Sequence, residues 1–154
     1  MKAKLKKIAV CLFAALLLIS SLSAAFAAHT GSLCVKVTDE SDAPVANFKV
    51  VLCKVANPDG ILFTEFSPAG ISAASLRNEK NNAKNAKKLL IYSENVSGDT
   101  RITDAAGAVG YDDLSEGIYL IYSPAGQGCI FTPFLLYMPT KIGSETHYDF
   151  VSTP

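Results

Sequence analysis

A chain of 154 residues, 49% hydrophobic and without tryptophan, is long enough for one core and too short for two full domains. It carries 14 basic and 14 acidic residues; removing Lys2, Lys4, Lys6 and Lys7 with an N-terminal leader leaves 10 basic against 14 acidic. This mildly acidic balance argues against nucleic acid and against anionic membrane surfaces as partners.

The leader is residues 1–27. The four lysines form a positive start and Ile8 to Ser20 an apolar run, shorter than the roughly 20 residues that a spanning helix needs. Ala25-Phe26-Ala27 fits the small-x-small cleavage rule, so a signal-peptide helix is expected to be cut between Ala27 and Ala28. The alternative is an uncleaved membrane anchor. The membrane is then met only through this segment during export, and residues 28–154 form a single domain.

The mature chain reads as short strands. Residues 31–38 and 47–55 alternate apolar and polar side chains about a polar turn at Asp42-Ala43-Pro44, which predicts a hairpin. Asn57-Pro58-Asp59-Gly60 is a turn by composition, and residues 61–66 form a short strand or an apolar loop. A helix is predicted over about 82–94. Asn82 can cap it, Ala83, Ala86, Leu89, Leu90 and Ser93 form its apolar stripe, and Lys84, Lys87 and Lys88 form a solvated side. Such a helix is too short to stand alone and must pack on a sheet.

Residues 100–103 start a strand, Asp104 to Gly107 turn, and Ala108 to Tyr111 return. Asp112-Asp113 through Gly117 is a turn before a strand at Ile118 to Ser123, rich in β-branched and aromatic residues. Phe134, Leu136 and Met138 alternate with Leu135 and Tyr137, so one face is buried and the other partly wet, with Pro133 and Pro139 at the strand ends. The expected architecture is mainly β, two antiparallel sheets packed as a sandwich with one inserted helix. The alternative is an α+β domain whose helix covers one open sheet.

Three cysteines remain after processing: Cys34, Cys53 and Cys129. If the first two strands pair as a hairpin, Cys34 and Cys53 lie opposite each other, and a disulfide between them is expected where Cα atoms come within about 7 Å. If those strands lie in different sheets, Cys129 becomes the partner. Three unpaired thiols remain the plain alternative.

The order turn-Leu114-x-x-Gly117-x-Tyr119-Leu120, a loop, then Pro133-Phe134-Leu135 and a closing Pro139 resembles the N-terminal domain of Gram-positive pilin subunits. It is also similar to collagen-adhesin B-type domains. Gly31 to Asp39, the turn with Pro44-Val45-Ala46, and Phe48 to Val55 agree with the first strands of that pattern. The resemblance implies an immunoglobulin- or prealbumin-like (inverse immunoglobulin) sandwich. It also raises a self-made isopeptide bond, in which a buried lysine attacks an asparagine beside a buried acid. Lys36 is the lysine of the first strand. The acid's place is taken by Ser123, and no asparagine follows Asn95, although Asp149 is an acceptor in principle. No such bond is expected, and Lys36 is read as solvated. Leu-Pro-x-Thr-Gly and the Tyr-Pro-Lys polymerisation motif are absent, so sortase polymerisation is not expected.

Other chemistry is thin. Glu145, His147 and Asp149 fall on alternate positions, but the plain reading is a polar strand face, and no metal is expected. His29 lies at the mature N-terminus. A Cys129–His147 nucleophile pair lacks any oxyanion signature. Gly126-Gln127-Gly128 is a turn, not a phosphate cradle. Asn95-Val96-Ser97 matches a glycosylation acceptor that a bacterial chain does not use. The expectation is a non-enzymatic structural or adhesive module without cofactor. It would be secreted or held at a Gram-positive cell surface, with host or bacterial surface proteins as partners and binding through loops such as 123–129. The alternative is a prealbumin-like carrier, its pocket lined by Tyr92, Tyr111, Tyr119, Tyr122 and Tyr137.

Overall fold

Alternating apolar residues produce nine strands in the computed structural model, which describes residues 29–153 apart from Asn95, Gly128, Cys129 and Gly143. The leader and its Ala27–Ala28 cleavage site lie outside the described residues, as do Cys129 and Asn95. The strands are β1 (Thr30–Lys36), β2 (Lys49–Ala56), β3 (Asp99–Ile102), β4 (Ala108–Ser115), β5 (Gly117–Tyr122), β6 (Phe134–Met138), β7 (Thr140–Ile142), β8 (Glu145–His147) and β9 (Asp149–Ser152). One sheet has the order β4-β1-β9, a second β3-β2-β5-β6, and β7-β8 form a ribbon. The helices are a single turn, α1 (Ala73–Leu76), and α2 (Asn82–Ser93).

The molecule is a β-sandwich with a helical layer on one face. Leu33 and Val35 of β1, with Val37 just beyond it, share the first core with Val50 and Leu52 of β2 and with Tyr111, Ile121 and Met138. On the far side of the second sheet, Cys53, Val55, Leu120 and Leu135 meet Leu76, Ala86, Leu89 and Phe66. The second sheet is therefore covered on both faces, and β5 is buried along nearly its whole length. The expected partly wet face of β6 is instead roofed: Leu135 is 3% exposed beneath α2. Burying one such side chain stabilises the fold by about 1.5–3 kcal/mol.

The predicted β1–β2 hairpin does not form. β1 pairs with β4 antiparallel and with β9 in parallel, while β2 pairs with β3 and β5. The connection closes its own small loop first: the Ser41 and Ala43 amides donate to Asp39 Oδ1 at 2.8 and 3.0 Å. Asn47, at φ 58°, then redirects the chain into the other sheet. Thr103 pegs this crossing; the Phe48 amide donates to its Oγ1 at 2.9 Å, and Oγ1 donates to the Val45 carbonyl at 2.7 Å. The turn at Asp104–Gly107 likewise joins the two sheets rather than a hairpin, since β3 pairs with β2 and β4 with β1.

These pairings remove the expected Cys34–Cys53 bridge. Both are free thiols. Alternation does put Cys34 opposite to Leu33 and Val35, and Cys53 opposite to Leu52. Because the strands belong to stacked sheets, however, each cysteine sits on the outer face of its own sheet. Sheets pack about 10 Å apart, so the pair exceeds bridging distance with side chains directed away from each other. Burial in the second core, helped by Glu65, pushes the Cys53 thiol up to about 11, whereas Cys34 is half-buried. Alkylation at neutral to mildly alkaline pH should mark Cys34 and spare Cys53 until denaturant is added, as peptide mass mapping reads directly. Equal labelling rates would contradict the burial of Cys53 in the second core. As pH climbs past about 9 the unfolded thiol ionises while the folded one stays protonated. The stability held by neutral Cys53 is therefore intact below about 9 and lost between about 9 and about 11.

Helix α2 matches the expected span within a residue at its end, but with a shifted face. Ala83 is exposed and Asn85 is buried at 3% exposure, its Nδ2 donating to the Ser75 carbonyl at 2.9 Å. Lys84, Lys87 and Lys88 are exposed, as a solvated side requires. Asn82 is the first helical residue and does not cap; Asn81 precedes the helix without a side-chain cap. Residues 61–66 form a bridge at Leu62 to Ala56 and then a turn, not a full strand. No helix of the described residues is long and apolar enough to cross a membrane.

Candidate functional site

Strand alternation places Lys54 on the same face of β2 as Val50 and Leu52, so its stem enters the end of the space between the sheets. A lysine can do this because the long apolar stem packs while the ammonium reaches out. Nζ donates to Ser115 Oγ at 2.8 Å and lies 5.6 Å from the centre of the Tyr119 ring. The Tyr119 hydroxyl donates to the Ser115 carbonyl at 2.6 Å. Next to them the Tyr148 hydroxyl donates to Glu116 Oε1 at 3.2 Å, and His29 stacks on Tyr148 with 5.5 Å between ring centres. Gly117 makes the room, because a Cβ there would stand 2.3 Å from Lys54 Cε and 2.9 Å from the Ala56 carbonyl oxygen. Burial lowers the Lys54 amine below the ordinary lysine range, and the Glu116 charge opposes that shift.

This is a held amine, but its hydrogen-bond partner is a hydroxyl, which offers no acyl carbon. The arrangement fixes a positive charge between the sheets and ties the β4–β5 turn to β2. Nothing in composition marked Lys54 out. The signal that was available is its even spacing from Val50 and Leu52, which assigns it to the core face.

The residues singled out from the sequence do not converge. Lys36 is exposed on the outer face of β1. Asp149 pairs in register with Ser32 and accepts from its Oγ at 2.8 Å. Four residues of strand, about 13 Å at the usual rise, separate that level from Lys36. Ser123 sits in the loop after β5 against Gln127, whose side chain reaches back to Lys49. His147 Nε2 and Glu145 Oε2 are 3.7 Å apart, while Asp149 turns to Ser32; among the described residues no His, Cys, Asp and Glu cluster could hold a metal. The five tyrosines divide between the two cores, Tyr111 and Tyr119 in one and Tyr92, Tyr122 and Tyr137 packed against the other. Of the five, Tyr137 lines a groove of about 310 Å3 that also involves Arg77, Glu79 and Lys141.

Solved structures share this fold. The major pilin SpaD of Corynebacterium diphtheriae superposes with a TM-score of 0.52 at 15% identity, over 82% of this chain and 29% of its own length. The fold is that of a Gram-positive pilin domain. The fimbrial protein FimP of Actinomyces oris gives 0.51 at 12% identity, over 82% of this chain and 29% of that one. The SpaA pilin of Corynebacterium diphtheriae, solved as a pilin–signal peptide complex, gives 0.50 at 15% identity, covering 82% of this chain and 96% of that one. The chain thus spans less than a third of the full-length pilins and nearly all of the SpaA domain. No protein-family model and no curated protein sequence matches it. At these identities the likeness is one of fold alone.

Proposed function

We propose that this chain is an exported, non-enzymatic module with a structural and adhesive role at a Gram-positive cell surface, and that a sortase does not polymerise it. The observation that carries the reading is the pilin fold itself, matched over 82% of the chain by SpaD and FimP. A lysine-rich start, an apolar run and Ala25-Phe26-Ala27 support export with cleavage between Ala27 and Ala28. Lys54 rests on a hydroxyl and Lys36 is solvated, consistent with a module that carries loads by packing rather than by reaction. Contact with host or bacterial surface proteins would use the loop at 123–129 or the helical segment, where Ile91 is 71% exposed among lysines.

The test expresses the full chain in a Gram-positive host, separates cytoplasm, wall and medium, and weighs the intact product. The expected result is a single species starting at Ala28 in the wall or medium, retained by immobilised surface or matrix proteins. Confinement to the cytoplasm overturns export. A ladder of covalent multimers overturns the non-polymerised reading, and lack of retention on either protein class removes adhesion.

A further inference from the structure

The β6 strand Phe134-Leu135-Leu136-Tyr137-Met138 is uncharged, apolar and rich in strand formers, and it stands at the edge of its sheet. Such an edge is a template for another strand of the same kind. Its outward-facing backbone groups belong to Leu135 and, by alternation, to Tyr137. The Leu135 amide donates to Asn82 Oδ1 at 2.8 Å, and Asn82 Nδ2 donates to the Leu135 carbonyl at 2.7 Å. One side-chain amide thus makes both bonds that a residue of a neighbouring strand would make, and the orientation follows because the reverse would oppose donor to donor. The Tyr137 carbonyl accepts from Thr140 Oγ1 at 2.5 Å. Pro133, two residues ahead of Leu135, has no N–H to offer.

The same device recurs inside the molecule. Beyond the end of β5, the Lys49 amide donates to Gln127 Oε1 at 2.6 Å and Gln127 Nε2 donates to the Lys49 carbonyl at 3.0 Å. A primary amide thus takes the place of a missing strand neighbour at two positions of this fold. We infer that Asn82 locks the open edge of β6 against strand addition by β6 of a second copy of this chain. The occupant follows from what is seated there, a strand-like amide pair, and from the uncharged self-complementary strand that would replace it. This inference is independent of the surface role proposed above.

The test compares the mature chain with Asn82→Ala and Asn82→Leu, the second keeping side-chain volume while deleting both hydrogen bonds. Sedimentation over a wide concentration range should show the variants associating at least about tenfold more tightly than the native chain. Hydrogen exchange at Leu135 should be at least about tenfold faster in dilute variant than in native protein, and slow again as the variant is concentrated. Folded variants that sediment as the native chain does, or that associate while Leu135 stays unprotected, overturn the inference. In the native chain itself, fast exchange at the Leu135 amide would overturn it even if neither variant folds.

Discussion

Replacing Tyr111 with alanine is expected to remove about 3–5 kcal/mol of folding stability, the range for deleting a large buried aromatic ring. Tyr111 has no exposed surface, sits on β4 and spans the first core. Its hydroxyl donates to the Val50 carbonyl of the opposite sheet at 2.8 Å. The Arg101 guanidinium lies 4.9 Å from the ring centre and donates through Nη1 to the Gly110 carbonyl at 2.6 Å, so β3 and β4 are clasped at the same level. Tyr111→Phe keeps the ring and drops only the cross-sheet hydrogen bond, which should cost about 1–2 kcal/mol. Urea midpoints with an unchanged denaturant slope measure both. A cost below about 1 kcal/mol for the alanine variant would mean that the ring is not central to the sandwich.

The same residue carries a pH dependence. Burial first, and Asp99 second, push the Tyr111 hydroxyl well above the ordinary tyrosine range, with Arg101 opposing. The folded hydroxyl stays neutral when the unfolded one begins to ionise. Its contribution is therefore whole below about pH 10 and declines above it. Tyr111→Phe should flatten that part of the stability profile.

Substituting alanine at Gly107 is the second large effect, expected at about 2–3 kcal/mol from a left-handed backbone plus a steric clash. Gly107 has φ 70°, and a Cβ there would stand 2.5 Å from the Val37 carbonyl oxygen. The Gly107 carbonyl accepts from the Val37 amide at 2.8 Å, so the clash falls where the chain crosses from one sheet to the other. Gly110→Ala is the control: three residues away, its Cβ would meet nothing within 4 Å. That variant should stay within about 0.5 kcal/mol of the native chain. Thermal unfolding of the pair separates the two cases, and equal melting points would refute the argument.

Side-chain period, turn chemistry and propensity are local, and they were legible. Leu33 and Val35 on one face of β1, the helix at 82–93, and the strands at 117–122 and 134–138 all follow from nearest neighbours along the chain. The order turn, Gly117-x-Tyr119, loop and Pro133-Phe134-Leu135 was enough to suggest the pilin sandwich that SpaD and FimP share. Which strand lies beside which was not legible. An apolar β1 and an apolar β2 bury the same area side by side or face to face, and the local pattern cannot separate these arrangements. Asn47 and the Thr103 peg decided between them from positions far apart in sequence, and that decision parted Cys34 from Cys53.

The side chains with the most specific tasks were hidden for the same reason. Asn82 looked like a cap because capping is a local property, yet its partners at Leu135 are 53 residues away. The spacing of Lys54 from Val50 and Leu52 assigns its face, but its seat on Ser115 Oγ, 61 residues away, depends on the opposite sheet. Residue order alone settled which segments extend, which coil and which face of each is greasy. Only the packed sheets settled strand neighbours, the burial of Cys53, the roof over Leu135, and the seats of Asn82 and Lys54. Those depend on contacts between distant segments, and no short window of sequence contains them.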